Sequence, residues 1–408
     1  MPKISSRAVQ MPASPIRRLV PFAEAAKARG THIYHLNIGQ PDVESPAEFW
    51  KAIRGFGDKV LEYSHSAGNA SLRRKMLHFY SERGIDLGEN QIVVTTAGSE
   101  AIRFALMACL DPGDEVIVPE PLYANYLGFA CESDVSVVPI TTHIEHDFRL
   151  PPIEEFRRRL SPRTKAILVC NPSNPTGALY GADQLEELRE LVLERDLFLI
   201  ADEVYREFNY TGQECPSVLQ MAGLERHAVM VDSVSKRYSL CGARIGFLCS
   251  RNGEVMTSAL KFAQARLSPP TLEQVGVEAS LAAPQSYFDA VREEYRLRRD
   301  LITSELRAME GVVCPRIDGA FYATVHLPID DADVFCRWLL ESFEHRGRTV
   351  MLAPATGFYA TEGLGKQEVR IAYVLNREAL GKAMECLGEA LNAYPGRTEA
   401  PAPRLAHS

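Results

Sequence analysis

The chain has 408 residues, 46% hydrophobic and 24% charged, enough apolar material for two or three cores of ordinary globular composition. Its net charge of −8 argues against a nucleic-acid binder, which would carry a basic face, and no run of about 18 apolar residues is present to span a membrane. The nine cysteines are odd in number and form no CxxC pair, which argues against structural zinc or a disulfide framework and fits a reducing cytoplasm.

Taken in chain order, the opening segment MPKISSRAVQMPASPIRR lacks the apolar stretch of a signal peptide. Little before residue 16 can pack, and Ile16 to Val20 are expected to anchor an arm. QIVVTT (91–96) reads as a strand leading into the helix SEAIRFALMACL, followed by strands DEVIVP (114–119) and VSVVPI (135–140). The basic run Arg157-Arg158-Arg159 falls in an amphipathic pattern beside two glutamates and reads as a solvated helix face. Strand KAILVC (165–170), helix ADQLEELRELVLERD and strands LFLIADE (197–203), MVDSV (230–234) and ARIGFLCS (243–250) complete the series. Strands alternating with helices predict an α/β fold whose mostly parallel sheet is covered on both faces. From Thr271 to Met309 the pattern is helical; residues 312–394 then read as a smaller α+β unit. The expected organisation is an N-terminal arm contributing to the small domain (1–45), a large domain (46–310), a small C-terminal domain (311–394) and a flexible Pro/Ala-rich tail (395–408).

In open α/β sheets ligands sit at the carboxyl ends of strands, and the unusual polar residues here follow strands. TTAGSEA (95–101) is a strand-to-helix junction with small residues, suited to an anion at the helix N-terminus, though such junctions are common without one. The chain has no Walker loop. CNPSNPTG (170–177) is a rigid loop able to hold one amide still. LFLIADEVY places Asp202 at the mouth of the sheet, where a carboxylate needs a cationic partner or serves as a helix cap. In SVSKRYSLCGARIG (233–246), Ser233 and Ser235 suit an anion, Arg244 suits clamping it, and Lys236 suits Schiff-base chemistry. An anion, a ring nitrogen wanting an acid and an aldehyde wanting an amine together describe pyridoxal 5′-phosphate.

These stretches, with LNIGQPD (36–42), YSHSAGNASLR (63–73), PEPLYANY (119–126) and VRIAYV (369–374), occur in an order and spacing that resembles the class I/II aminotransferases of pyridoxal-phosphate fold type I. The similarity runs from about Ile16 to Tyr394 and is closest in pattern to bacterial aspartate aminotransferases. The resemblance implies that Lys236 carries the cofactor and shuttles the substrate proton, that Asp202 pairs with the ring nitrogen, and that Tyr205 and Asn174 bind the ring oxygen. It implies Tyr123 stacked on the ring; phosphate held by Ala97, Gly98, Ser99, Ser233, Ser235 and Arg244; and Tyr63 reaching the phosphate of a neighbouring subunit in a homodimer. Arg370 would grip the substrate α-carboxylate beside Asn174 and the Gly39 backbone. No metal, nucleic acid or membrane is expected; the partners are an amino acid and a keto acid.

Substrate choice is less constrained. Related enzymes of the nearest subgroup often carry a distal-carboxylate lysine where this chain has Ser99, and Arg266 in FAQARLSPP is a candidate replacement. Cys241 stands where Thr or Ser is usual, as a packing neighbour of the phosphate loop or a redox-sensitive thiol. The expected reaction is ping-pong transfer from aspartate to 2-oxoglutarate. Aromatic- or alanine-type transfer and a C–S lyase on the same fold are the alternatives. A cofactor-binding regulator is disfavoured, because the similarity begins within the first ~20 residues and leaves no room for a DNA-binding domain.

Overall fold

The computed structural model describes residues 2–213, 215–399 and 405. Near the N-terminus, β1 (His32–His35) pairs in parallel with β10 (Arg348–Met351), Ile33 lying opposite Thr349. The main sheet contains β2 (Ile92–Thr95), β3 (Glu115–Glu120), β4 (Ser136–Thr141), β5 (Thr164–Cys170), β6 (Phe198–Asp202), β7 (Ala228–Ser233) and β8 (Gly246–Cys249), in the order β2-β8-β7-β6-β5-β3-β4. β8 runs against β2 and β7; the other pairings are parallel. A three-stranded antiparallel sheet, in the order β11 (Ala353–Pro354), β12 (Glu368–Ala372), β9 (Tyr322–His326), lies in the C-terminal part.

The central strands are apolar almost throughout because both their faces are covered. Their alternate side chains divide between two cores: Ala166, Leu168 and Cys170 of β5 join one, and Ile167 and Val169 join the other. The Ala97–Cys109 helix buries Ala101, Ile102, Ala105 and Leu106 in the first core. On the opposite face the Ala182–Arg195 helix buries Leu185, Leu188, Leu191 and Val192, at the spacing of one helical stripe. Arg157 and Arg158 pair with Glu194 and Glu155, a charged helix face as expected. Five of the nine cysteines are buried. No helix among the described residues is long and apolar enough to cross a membrane.

The ends of the chain are more engaged than their composition suggests. Although the Ser6–Gln10 helix buries nothing, the Met11 side chain packs on Gly128 and Pro15 on Gly357. At the other end, Arg397 bridges to Ile329 and the Thr398 N–H donates to the Pro328 carbonyl at 3.0 Å. These bonds fix the first residues of the segment expected to be a flexible tail; residues 400–404 and 406–408 lie outside the described residues.

The Gln285–Ala308 helix buries Phe288 in the second core and Ile302 and Leu306 in the first. Its buried Arg298 donates to Asp42 Oδ1 at 2.6 Å and to the Val374 carbonyl at 2.5 Å. One guanidinium thus ties the segment after β1 to the segment after β12.

Candidate active site

The parallel strands of the main sheet end on one edge, and the polar residues gather there. Asp202 closes β6 and is 5% exposed. Its Oδ2 accepts a hydrogen bond from Tyr126 Oη at 2.7 Å, and Oδ1 accepts one from the Val204 N–H at 3.4 Å. Burial pushes the carboxyl up to about 6, against the opposing pull of those two donors and of Lys236. A buried acid poised there is favourably ionised once a cationic N–H comes beside it.

Lys236 projects from a single helical turn, Val234–Arg237, that follows β7. Ser233 caps this turn, its Oγ accepting from the Ser235 N–H at 3.2 Å, and the two serine hydroxyls lie 3.0 Å apart. The half-buried Lys236 Nζ donates to the Gly39 carbonyl at 2.9 Å and lies 3.9 Å from Cys241 Sγ. It is 6.0 and 5.9 Å from the ring centroids of Tyr205 and Phe321.

The Ala97–Cys109 helix starts beside these serines because β8 begins with a glycine. Gly246 sits opposite both Thr95 and Ser233 in the ladders, and a Cβ on it would lie 2.4 Å from the Ala97 carbonyl carbon. Only a bare backbone lets the helix start come so close. Ala97 takes the left-handed conformation at φ 62° to make the turn, and Gly98 and the half-buried Ser99 follow it. Arg244 is exposed, also left-handed, and donates to the Cys241 carbonyl at 3.2 Å.

A second cluster gathers around Arg370 on β12. Arg370 is 2% exposed; its Nη1 donates to Asn174 Oδ1 at 3.1 Å and its Nη2 to the Asn37 carbonyl at 2.6 Å. The guanidinium lies 4.7 Å from the ring centroids of both Tyr322 and Phe358, its Nε has no hydrogen-bond partner, and burial lowers its pKa. Such a cation, dry and incompletely paired, suits a carboxylate ligand. Asn174 Nδ2 reaches Tyr205 Oη at 3.4 Å, and the Tyr205 and Tyr322 hydroxyls are 3.0 Å apart. Gly39 faces the same tyrosine: a Cβ there would fall 1.7 Å from Tyr322 Oη. Tyr123 packs edge-on against Tyr126, accepts from Asn125 Nδ2 at 2.7 Å, and is pushed up to about 12 by burial.

Two of the sequence candidates stand apart from these groups. Tyr63 is 81% exposed, beside exposed Val60 and Leu61. Arg266 turns inward: its Nε lies 3.5 Å from Glu100 Oε1 and its Nη2 donates to the Ser66 and Val94 carbonyls. Conversely, Tyr126, Tyr322 and Asn37 were not anticipated. Tyr126 sits one turn beyond Tyr123 in PLYANY, so its spacing was a usable signal. Tyr322, in the apolar run AFYATVHL, looks like core, and Asn37 contributes through its backbone, which sequence does not advertise.

The family model for aminotransferase class I and II matches residues 31–387. An aspartate/prephenate aminotransferase of Thermus thermophilus is 32% identical over 88% of this chain and 91% of its own length. The structure of T. thermophilus aspartate aminotransferase with maleate superposes with a TM-score of 0.87 at 30% identity, covering 96% of this chain and 100% of that one. An alanine aminotransferase from Pyrococcus furiosus also gives a TM-score of 0.87, at 28% identity over 95% of this chain and 99% of that one.

Proposed function

We propose, from the premise that this chain belongs to the class I and II aminotransferases, that it moves the amino group of an L-amino acid, with aspartate the favoured donor, to 2-oxoglutarate by a ping-pong mechanism using pyridoxal 5′-phosphate. The observation that carries the proposal is the buried Asp202 carboxyl at the end of β6, pulled on by the charge of Lys236 on the turn after the neighbouring β7, with Arg370 held incompletely paired beside Asn174 and Tyr205. The residues fit that cofactor. Asp202 needs a cationic neighbour, the Gly246 gap admits the N–H groups of the Ala97–Ser99 helix start, and the Ser233 and Ser235 hydroxyls adjoin that start.

When bound, pyridoxal phosphate supplies a carbonyl for the substrate amine and a ring that takes up the electron pair left at Cα. Ala97, Gly98, Ser99, Ser233, Ser235 and Arg244 hold the phosphate. Asp202 keeps a proton on the ring nitrogen, and Tyr126 keeps Asp202 aimed at it. Tyr205 and Asn174 hydrogen-bond the ring oxygen, and Tyr123 covers the ring face. Arg370 forks onto the α-carboxylate and fixes the Cα–H bond, while the Gly39 backbone leaves room beside Tyr322. The Lys236 amine, held at the Gly39 carbonyl, would be the group that takes and returns the Cα proton. The same residues would receive the keto acid, so one site would serve two substrates in turn.

The exposed Tyr63, Val60 and Leu61 support a homodimer in which Tyr63 meets the phosphate of the second subunit. A cytoplasmic location and the division into large (46–310) and small (311–394, with 1–45) domains belong to the same proposal. An alanine- or aromatic-type donor is the second reading, favoured because Glu100 and two carbonyls already engage Arg266.

Borohydride reduction of the protein with pyridoxal phosphate, followed by peptide mass spectrometry, tests the assignment. The adduct is expected on Lys236, and Lys236→Ala is expected to abolish turnover; an adduct elsewhere or retained transamination overturns it. Single half-reactions with aspartate, alanine and phenylalanine identify the donor. Release of ammonia and pyruvate without a keto acid would instead assign a lyase.

A further inference from the structure

The turn that carries Lys236 is four residues long, too short to hold its shape by its own hydrogen bonds. What fixes it lies behind it. Asp232, the residue before the Ser233 cap, is fully buried, and Arg237, the residue after Lys236, is 1% exposed. Arg237 Nη2 donates to Asp232 Oδ1 at 2.5 Å, so an ion pair closes the two ends of the turn on each other. The same Oδ1 accepts the Ser233 N–H at 2.7 Å, and Oδ2 accepts Tyr80 Oη at 2.8 Å. Glu207 Oε2 approaches Arg237 Nε at 3.3 Å, and the guanidinium lies 4.9 Å from the Phe79 ring centroid. Successive residues of a helix point about 100° apart, so turning Arg237 inward helps hold Lys236 outward, toward Gly39.

We propose that Asp232 and Arg237, steadied by Tyr80, are positioning residues that set the angle of the Lys236 amine and the spacing of the Ser233 and Ser235 hydroxyls for the cofactor. They touch neither cofactor nor substrate and act through the turn they close. This rests on the cofactor assignment made above and adds a function for residues outside the pocket.

The test uses full-length Tyr80→Phe, Arg237→Met and Arg237→Lys proteins beside wild type. Each is stripped of cofactor and titrated with pyridoxal phosphate, giving the affinity, the absorbance maximum and the pH midpoint of the absorbance change; thermal unfolding of the cofactor-free form is read separately. At metal sites, loss of a partner that orients a direct ligand costs about 10- to 100-fold in affinity or activity, and an effect of that order is expected here. Arg237→Met is expected near the upper end of that range, Tyr80→Phe near the lower, and Arg237→Lys in between through partial rescue, each with a displaced pH midpoint. Variants that melt earlier yet bind with wild-type affinity and an unchanged pH midpoint overturn the proposal, because the pair would then be only structural. Should Arg237→Met fail to fold, Tyr80→Phe decides alone, since it removes a single hydroxyl. A wild-type protein that forms no reducible adduct on Lys236 would defeat the cofactor assignment itself; a normal wild type with indifferent variants defeats only this inference.

Discussion

Asp202→Asn separates what the carboxylate does to the fold from what it does for the cofactor. Burial raises the Asp202 carboxyl from 3.8 to about 6, a displacement equivalent to about 3 kcal/mol against the ionised form. A carboxyl whose folded value lies above its unfolded one stabilises the cofactor-free fold fully only below the unfolded value. That contribution falls away as pH rises from about 4 to about 6 and is gone above it. Asparagine has no charge to desolvate and can still accept the Tyr126 hydrogen bond, while its amide meets the Val204 N–H less well. Cofactor-free Asp202→Asn should therefore gain on wild type with rising pH, by up to about 3 kcal/mol between pH 4 and pH 8. Urea unfolding of both proteins at intervals of half a pH unit measures this directly. With pyridoxal phosphate bound the order should reverse, since the ionised acid then has a cationic partner. Parallel pH profiles for the two cofactor-free proteins would refute the argument, because Asp202 would then carry no penalty for a partner to relieve.

Tyr126→Phe removes a donor that favours the carboxylate, so the Asp202 midpoint should move above about 6 in the same unfolding series. Arg370→Ala should raise the KM for amino donors with little effect on cofactor affinity; losing a buried charge partner of this kind costs about 2–5 kcal/mol, measurable in single half-reactions. Arg266→Ala should lower the unfolding temperature by freeing Glu100 and two carbonyls, and should slow aspartate and alanine about equally. A loss confined to aspartate would instead assign the guanidinium to a distal carboxylate.

The main sheet was legible in the sequence because its strands are buried on both faces and write themselves as apolar runs, KAILVC and LFLIAD among them. The polar residues that follow these strands were legible as a group: an aspartate after LFLIA could be a helix cap and a lysine after MVDSVS a surface group, but together at strand ends they point to a ligand. β1 was not. HIYH is four residues long with polar ends, and its one ladder partner among the described residues lies more than 300 residues later, as Ile33 pairs with Thr349. The helices at Ala47–Arg54, Ala70–Ser81 and Gly253–Arg266 also went unnamed, their stripes short or mixed with charge. Arg237 shows a further limit. Beside a lysine in SKRY it looks like an exposed cation, and nothing local reveals that Asp232, Glu207 and Phe79 converge on it.

The carbonyls of Asn37 and Gly39 carry a consequence for biosynthesis. Leaving the ribosome, that segment precedes the partners it will touch: Lys236 follows Gly39 by 197 residues and Arg370 follows Asn37 by 333, and the strand that pairs with His32–His35 is also made long after it. The main sheet can assemble on the growing chain, but these contacts cannot form until Arg370 has been made. A nascent chain that stalls before Arg370 therefore leaves the Asn37 carbonyl and Asn174 without the guanidinium that joins them.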